Sequence, residues 1–140
     1  RLKTDKTPTY NCSDIRDAFS VENTSAKLSY PIALMTADEI AFAGGVAYTD
    51  IGGQYAWFMS NSFGVDVSTS SWWFLSPIFW HGRNAYEWSW YSGNAYLSDG
   101  SVNVAYAVRP AISLKSCTLY GTGNGTVKKP YTIQETENGC

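Results

Sequence analysis

Charge is scarce in this chain. Asp, Glu, Lys and Arg make up 16% of 140 residues, with a formal net charge of −2, against roughly 25% in an average soluble domain. Lys128-Lys129 is the only basic pair of note, so there is no electrostatic footprint for a nucleic-acid backbone, and nucleic acid is not an expected partner. Histidine occurs once, and the three cysteines, Cys12, Cys117 and Cys140, form no C-x-x-C pair. No zinc spacing can be assembled from them, and no metal or other cofactor is expected. No apolar run reaches the ~20 residues that span a bilayer, so direct membrane insertion by this stretch is not expected. The sequence starts at Arg1 with neither initiator Met nor signal peptide, and reads as a processed or trimmed piece whose anchor lies elsewhere.

Aromatic residues are abundant, at 16% of the chain. The length suits one domain. Leu, Ile, Val and Phe are only a fifth of the residues, but low net charge removes the other half of the disorder signature, so a folded domain is expected.

Residues 1–27 are polar and read as an N-terminal arm, 28–134 as the folded domain, and 135–140 as a flexible tail. Tyr30–Met35 reads as a short buried strand opening near a proline. Thr36-Ala37-Asp38-Glu39 has capping-box spacing, in which the Thr hydroxyl and the Glu carboxylate satisfy each other's backbone N–H groups. A helix is expected from there through Ala43, stopped by Gly44-Gly45. Many short strands and turns are expected across 40–108. Asp99-Gly100 reads as the sharpest turn, a type I′ hairpin pairing Leu97 with Val102 and Tyr96 with Asn103. A second hairpin is expected between Cys117–Tyr120 and Tyr131–Ile133, turning at Asn124-Gly125. Its glycines fit neither G-x-x-x-x-G-K-[ST] nor G-x-G-x-x-G, so they read as a turn and not a phosphate cradle.

Between Trp72 and Tyr106 lie eleven of the 22 aromatic residues. Trp and Tyr carry N–H and O–H groups that need partners, so burial of all eleven would strain the polar accounting. Trp72, Trp73, Leu75 and Trp88 are expected in the core. Phe79, Trp80, His81, Arg83, Asn84 and Tyr86 follow Ser76-Pro77 in a stretch that lacks strand alternation and contains Gly82, and they are expected to form a ligand surface. Trp90, Tyr91, Asn94, Tyr96, Asn103 and Tyr106 complete the candidate set. Rigid aromatics among Ser, Gly and Asn are the mixture that antibody paratopes use.

The ordered series Tyr30-Pro31-Ile32-Ala33-Leu34-Met35-Thr36-Ala37-Asp38-Glu39, Trp73-Phe74-Leu75-Ser76-Pro77, Ser98-Asp99-Gly100-Ser101-Val102-Asn103 and Val108-Arg109-Pro110-Ala111-Ile112-Ser113-Leu114-Lys115 resembles C-type-lectin-like domains. The similarity is to the formylglycine-generating-enzyme branch, including the bacterial and phage hypervariable proteins of diversity-generating retroelements. It covers roughly 28–134. The resemblance implies an α+β, C-type-lectin-like fold: a short helix, small twisted antiparallel sheets and much irregular loop. It also implies a variable binding surface on the tract Phe79–Tyr106. The Glu-Pro-Asn and Trp-Asn-Asp ligand motifs of calcium-dependent sugar-binding lectins do not occur, nor does a pair of neighbouring active-site cysteines.

A Ser–His–Asp mechanism would need His81 with Ser76 or Ser89 and Asp99, and no Gly-x-Ser-x-Gly elbow supports it. Arg109 reads as an internal ion pair or carbonyl clamp, with an anionic ligand as the other reading. A Cys12–Cys117 disulfide is expected, with reduced buried thiols as the alternative. It would tie the arm to the last sheet-like segment and contribute roughly 4–5 kcal/mol in the loop-entropy account. The leading function is a non-enzymatic, surface-displayed receptor-binding or adhesin module whose partner is a protein or glycan on another cell or surface. It would be extracellular or at the bacterial cell surface, where a filament could display it, with a phage virion as the alternative setting. The alternative is a pilin-like or virion structural subunit whose aromatic tract packs against neighbours.

Overall fold

The computed structural model describes residues 2–11, 24, 27–50, 71–92, 96–124 and 128–134. These form two small antiparallel sheets, one short helix and connecting loops, an α+β arrangement. Strand β1 (Ala33–Leu34) precedes helix α1 (Ala37–Phe42). Strands β2 (Trp72–His81), β3 (Asn84–Tyr91) and β4 (Tyr96–Ser101) make the larger sheet in the order β2-β3-β4, and β5 (Pro110–Ala111) pairs with β1.

The capping box forms as the spacing requires. Glu39 N donates to Thr36 Oγ1 at 3.2 Å, and Thr36 N donates to Glu39 Oε2 at 2.7 Å. Ser76 Oγ accepts from Ala37 N at 3.0 Å, which fastens the helix start to β2. The expected strand over Tyr30–Met35 shrinks to two residues, with Tyr30 74% exposed.

The segment expected to be a ligand loop, 77–86, is a hairpin. His81 faces Asn84 across a two-residue turn in which Gly82 has φ 61°. That is the first central position, where a type II′ turn needs glycine. Alternation is hidden because the register shifts between Trp73 and Pro77 and again between Pro77 and Phe79. The two bulged stretches break the period of two that marks a strand.

The Asp99-Gly100 hairpin does not form. Both residues lie inside β4, with Trp88 opposite Asp99 and Glu87 opposite Gly100. Leu97 consequently faces Trp90, while Val102 and Val104 are exposed. Glycine is needed at 100 for space: a Cβ there would lie 2.7 Å from Tyr106 Cε2 and 2.8 Å from two ring atoms of Trp73. The second hairpin is present around Tyr120 and Ile133, which form an antiparallel bridge. Its turn residue Gly125 lies outside the described residues.

Cross-strand partners share a face and successive residues alternate. Trp72, Trp90, Trp88 and Leu97 therefore occupy one face, which packs with Phe74, Ile40 and Ala37 to form the core. Leu2, which the polar reading of the arm passed over, belongs to that core at 6% exposure. Thr9 N donates to Asp38 Oδ1 at 2.7 Å, and the Tyr10 ring stacks on Phe42 at 4.2 Å, so Thr9 and Tyr10 lie against α1. Trp73 is half-buried and its ring lies against Tyr106, so it is a cover for Gly100 and not a core residue.

Arg109 is half-buried with its guanidinium 4.9 Å over the Trp72 ring, and loss of hydration pushes its pKa down. This is a cation–π contact with a core ring, a different contact from the expected ion pair or carbonyl clamp. Cys117 is disulfide-bonded. Its expected partner Cys12 lies outside the described residues, as does Cys140. Non-reducing peptide mapping is expected to recover Cys12 joined to Cys117; a Cys117–Cys140 peptide would reverse the assignment.

Candidate functional site

The strand register sorts the twelve candidates into separate places. Phe79 faces Tyr86 across the hairpin and the two rings stack, centroids 4.6 Å apart and 18° from parallel. His81 and Asn84 pair on the same face, the continuation of the core face beyond the cover of α1. Trp80 pairs with Ala85 on the opposite face and is 69% exposed. Its Nε1 donates to Gly82 O at 2.9 Å, which satisfies the indole N–H and fixes the ring while leaving its surface open. Arg83, in the turn itself, is exposed. These six residues converge at one end of the sheet.

Tyr91 and Tyr96 pair at the other end, rings 5.5 Å apart, on the Trp80 face. Six β3 positions separate Ala85 from Tyr91, about 20 Å at the strand rise, so these tyrosines make a second patch. Trp90 is fully buried, opposite Leu97 and against Trp72, and belongs to the core. Expected among the ligand-surface candidates, it is sent inward by strand alternation. Asn103 is exposed in the turn after β4, and Tyr106 is half-buried against Trp73. Asn94 lies outside the described residues.

Two contributors come from far away in sequence and had no local signal. Lys3 places its ammonium 5.6 Å from the Phe79 ring centroid and 5.2 Å from that of Tyr48. Lys6 lies 5.7 Å from Tyr48 and donates to Ala47 O. The Tyr48 hydroxyl in turn donates to Asp99 Oδ1 at 2.5 Å, with its ring beside Trp88. The site therefore has the Lys3 ammonium over its stacked rings and Arg83 exposed in the adjoining turn, and Asp99 is held by Tyr48.

Burial first, and then the Asp99 hydrogen bond and charge, push the Tyr48 phenol above the ordinary tyrosine range. The folded chain thus holds this proton more tightly than the unfolded chain, whose phenols titrate near pH ~10. Stability carried by this group is complete below that pH and falls as pH rises beyond it. Tyr48→Phe is expected to cost about 1 kcal/mol at neutral pH through the lost hydrogen bond. It should also flatten the alkaline decline in urea midpoint. An alkaline slope identical to that of the parent chain would contradict this account.

The triad candidates are not brought together. Ser76 caps α1, Ser89 is buried opposite Ser98, and Asp99 is engaged by Tyr48, while His81 sits at the hairpin end. His81 pairs with Asn84, five β3 positions from Ser89, or about 16 Å. Among the described residues no group of three or more His, Cys, Asp or Glu side chains could hold a metal ion, and no helix is long and apolar enough to cross a membrane. Comparison with protein families, curated proteins and solved structures finds no match for this chain.

Proposed function

We propose that this is a surface-displayed binding module with a C-type-lectin-like fold of the formylglycine-generating-enzyme branch. Its ligand site is the end of the β2–β3 hairpin, and retroelement-directed change diversifies that site. The supporting observation is that the hairpin end presents rings on both faces: the exposed Trp80, with its N–H satisfied within its own turn, on one, and the stacked Phe79–Tyr86 pair on the other. Such rings offer large contact area at low entropy cost, and a few of them commonly dominate affinity. The backbone beneath them is a register-fixed hairpin, so side chains can be exchanged without moving the scaffold. The partner is a protein or glycan on another cell or surface, the setting is extracellular, and no enzymatic step is involved.

Sequencing this locus across one bacterial or phage population tests the reading. Substitutions are expected to concentrate at Phe79, Trp80, His81, Arg83, Asn84 and Tyr86, with Trp72, Phe74 and Trp90 unchanged. Substitutions spread evenly over exposed and buried aromatics would overturn it.

A further inference from the structure

One ammonium touches two rings that come from different parts of the chain. Lys3 Nζ lies 5.6 Å from the Phe79 centroid and 5.2 Å from that of Tyr48, both inside the ~6 Å at which a ring face attracts a cation. Each ring is fixed by other contacts. Tyr86 stacks on Phe79 with centroids 4.6 Å apart, and Tyr48 is held by its hydrogen bond to Asp99 Oδ1 and by the Trp88 ring 5.7 Å away. Asp99 lies opposite Trp88, two residues from Tyr86, so its carboxylate is on the same sheet face as the Phe79–Tyr86 stack. Negative charge at the phenol end of Tyr48 favours a cation at the ring.

The cation itself is held less firmly than these walls. Lys3 is exposed, and among the described residues no hydrogen bond or ion pair secures its ammonium. Lys6, which approaches Tyr48 at 5.7 Å, differs in donating to Ala47 O. Leu2 is buried at 6% exposure, so the backbone beside Lys3 is anchored in the core. Only the flexible four-carbon stem of Lys3 has to turn for the ammonium to leave.

We infer that the Phe79–Tyr48 seam is a cation subsite, filled by the chain's own Lys3, and that an alkylammonium group of the ligand displaces Lys3 on binding. The inference rests on the hairpin end being the ligand site, and it names the group that enters. An internal occupant lowers apparent affinity in proportion to the time it spends in place. Lys3 is therefore a threshold that a ligand cation has to exceed. Phe79 is among the positions expected to vary, whereas Lys3 and Tyr48 are not, so cation recognition belongs to sequences that keep an aromatic residue at 79.

Titration followed by the ring-proton NMR signals of Phe79 and Tyr48, at constant chloride, tests this in the parent chain and in Lys3→Met. The probes are choline, Nα-acetyl-lysine methylamide and the neutral choline isostere 3,3-dimethylbutan-1-ol. At least one of the two cations is expected to shift both rings and to bind about threefold to sixfold more tightly in Lys3→Met, the relief expected when an exposed cation–π occupant is removed. The alcohol should bind more weakly than choline. Stronger binding of choline marks a quaternary headgroup as the ligand's cation, and stronger binding of the amide marks a protein lysine. If Lys3→Met alters the circular dichroism spectrum, Lys3→Gln takes its place. No ring shift with either cation, equal affinity in parent and variant, or an alcohol that binds as well as choline would overturn the inference. So would acetate binding to the parent that disappears in Lys3→Met, since Lys3 would then be the contact for an anion. Any of these results alongside substitutions concentrated at the hairpin end removes the cation subsite and leaves the ligand-site reading standing.

Discussion

Trp90→Ala is expected to lower the unfolding free energy by about 3–5 kcal/mol, the usual cost of emptying a fully buried aromatic position. Trp90 has no exposed surface, stacks near Trp72 at 6.3 Å and lies opposite Leu97, so no solvent can fill the space cheaply. In a domain of this size the thermal midpoint should fall by roughly 10 °C or more. Trp80→Ala, in the same tract, should change stability by no more than ~0.5 kcal/mol. Its ring is mostly in solvent, and its hydrogen bond to Gly82 O is readily replaced by water. Urea unfolding of the two variants measures the contrast. Equal losses would show that the hairpin end is as much a part of the core as Trp90.

Gly100→Ala is the second large effect. The position is buried within β4, and the added Cβ would meet Tyr106 and Trp73 ring atoms at 2.7–2.8 Å, where side chains do not normally approach. The rings are themselves in contact, centroids 4.5 Å apart, so neither can retreat without disturbing the other. We expect a loss near 3 kcal/mol, the upper end of ordinary overpacking. Tyr106→Ala in the same chain should recover much of it, because the space under the ring then opens. A double variant no more stable than Gly100→Ala alone would locate the strain elsewhere.

What could be read from the sequence was what short range decides. Thr36 and Glu39 are three residues apart, and their reciprocal hydrogen bonds need nothing beyond that turn. Asp99-Gly100 has the local signature of a turn, yet its glycine answers to Trp73 and Tyr106, a reason that exists only after β2 and the chain past β4 have come together. The same holds for the candidate site. Exposure of Phe79, Trp80, His81 and Arg83 was legible from composition, and the division of Trp80 from Phe79 and Tyr86 by face was not, because bulges in β2 erase the alternation that would reveal it. Lys3 and Tyr48 reach the site through tertiary packing across more than thirty residues, which no window along the chain records.

Part of each outer rim of the larger sheet, around Leu97 and from Trp73 to Leu75, is occupied by the chain's own backbone. Tyr48 N and Val46 O bond to Leu97 on the β4 side, while Ala107 O and Met35 O accept from Trp73 N and Leu75 N on the β2 side. Pro77, which has no N–H to offer, follows two residues further along β2. Free strand edges are templates for amyloid-like addition, and an aromatic, weakly charged tract is the kind of sequence that exploits them. With those stretches already taken, the Trp- and Tyr-rich middle of the sheet offers no free backbone there for a second strand to add to, so its aromatic load does not bring an open edge with it.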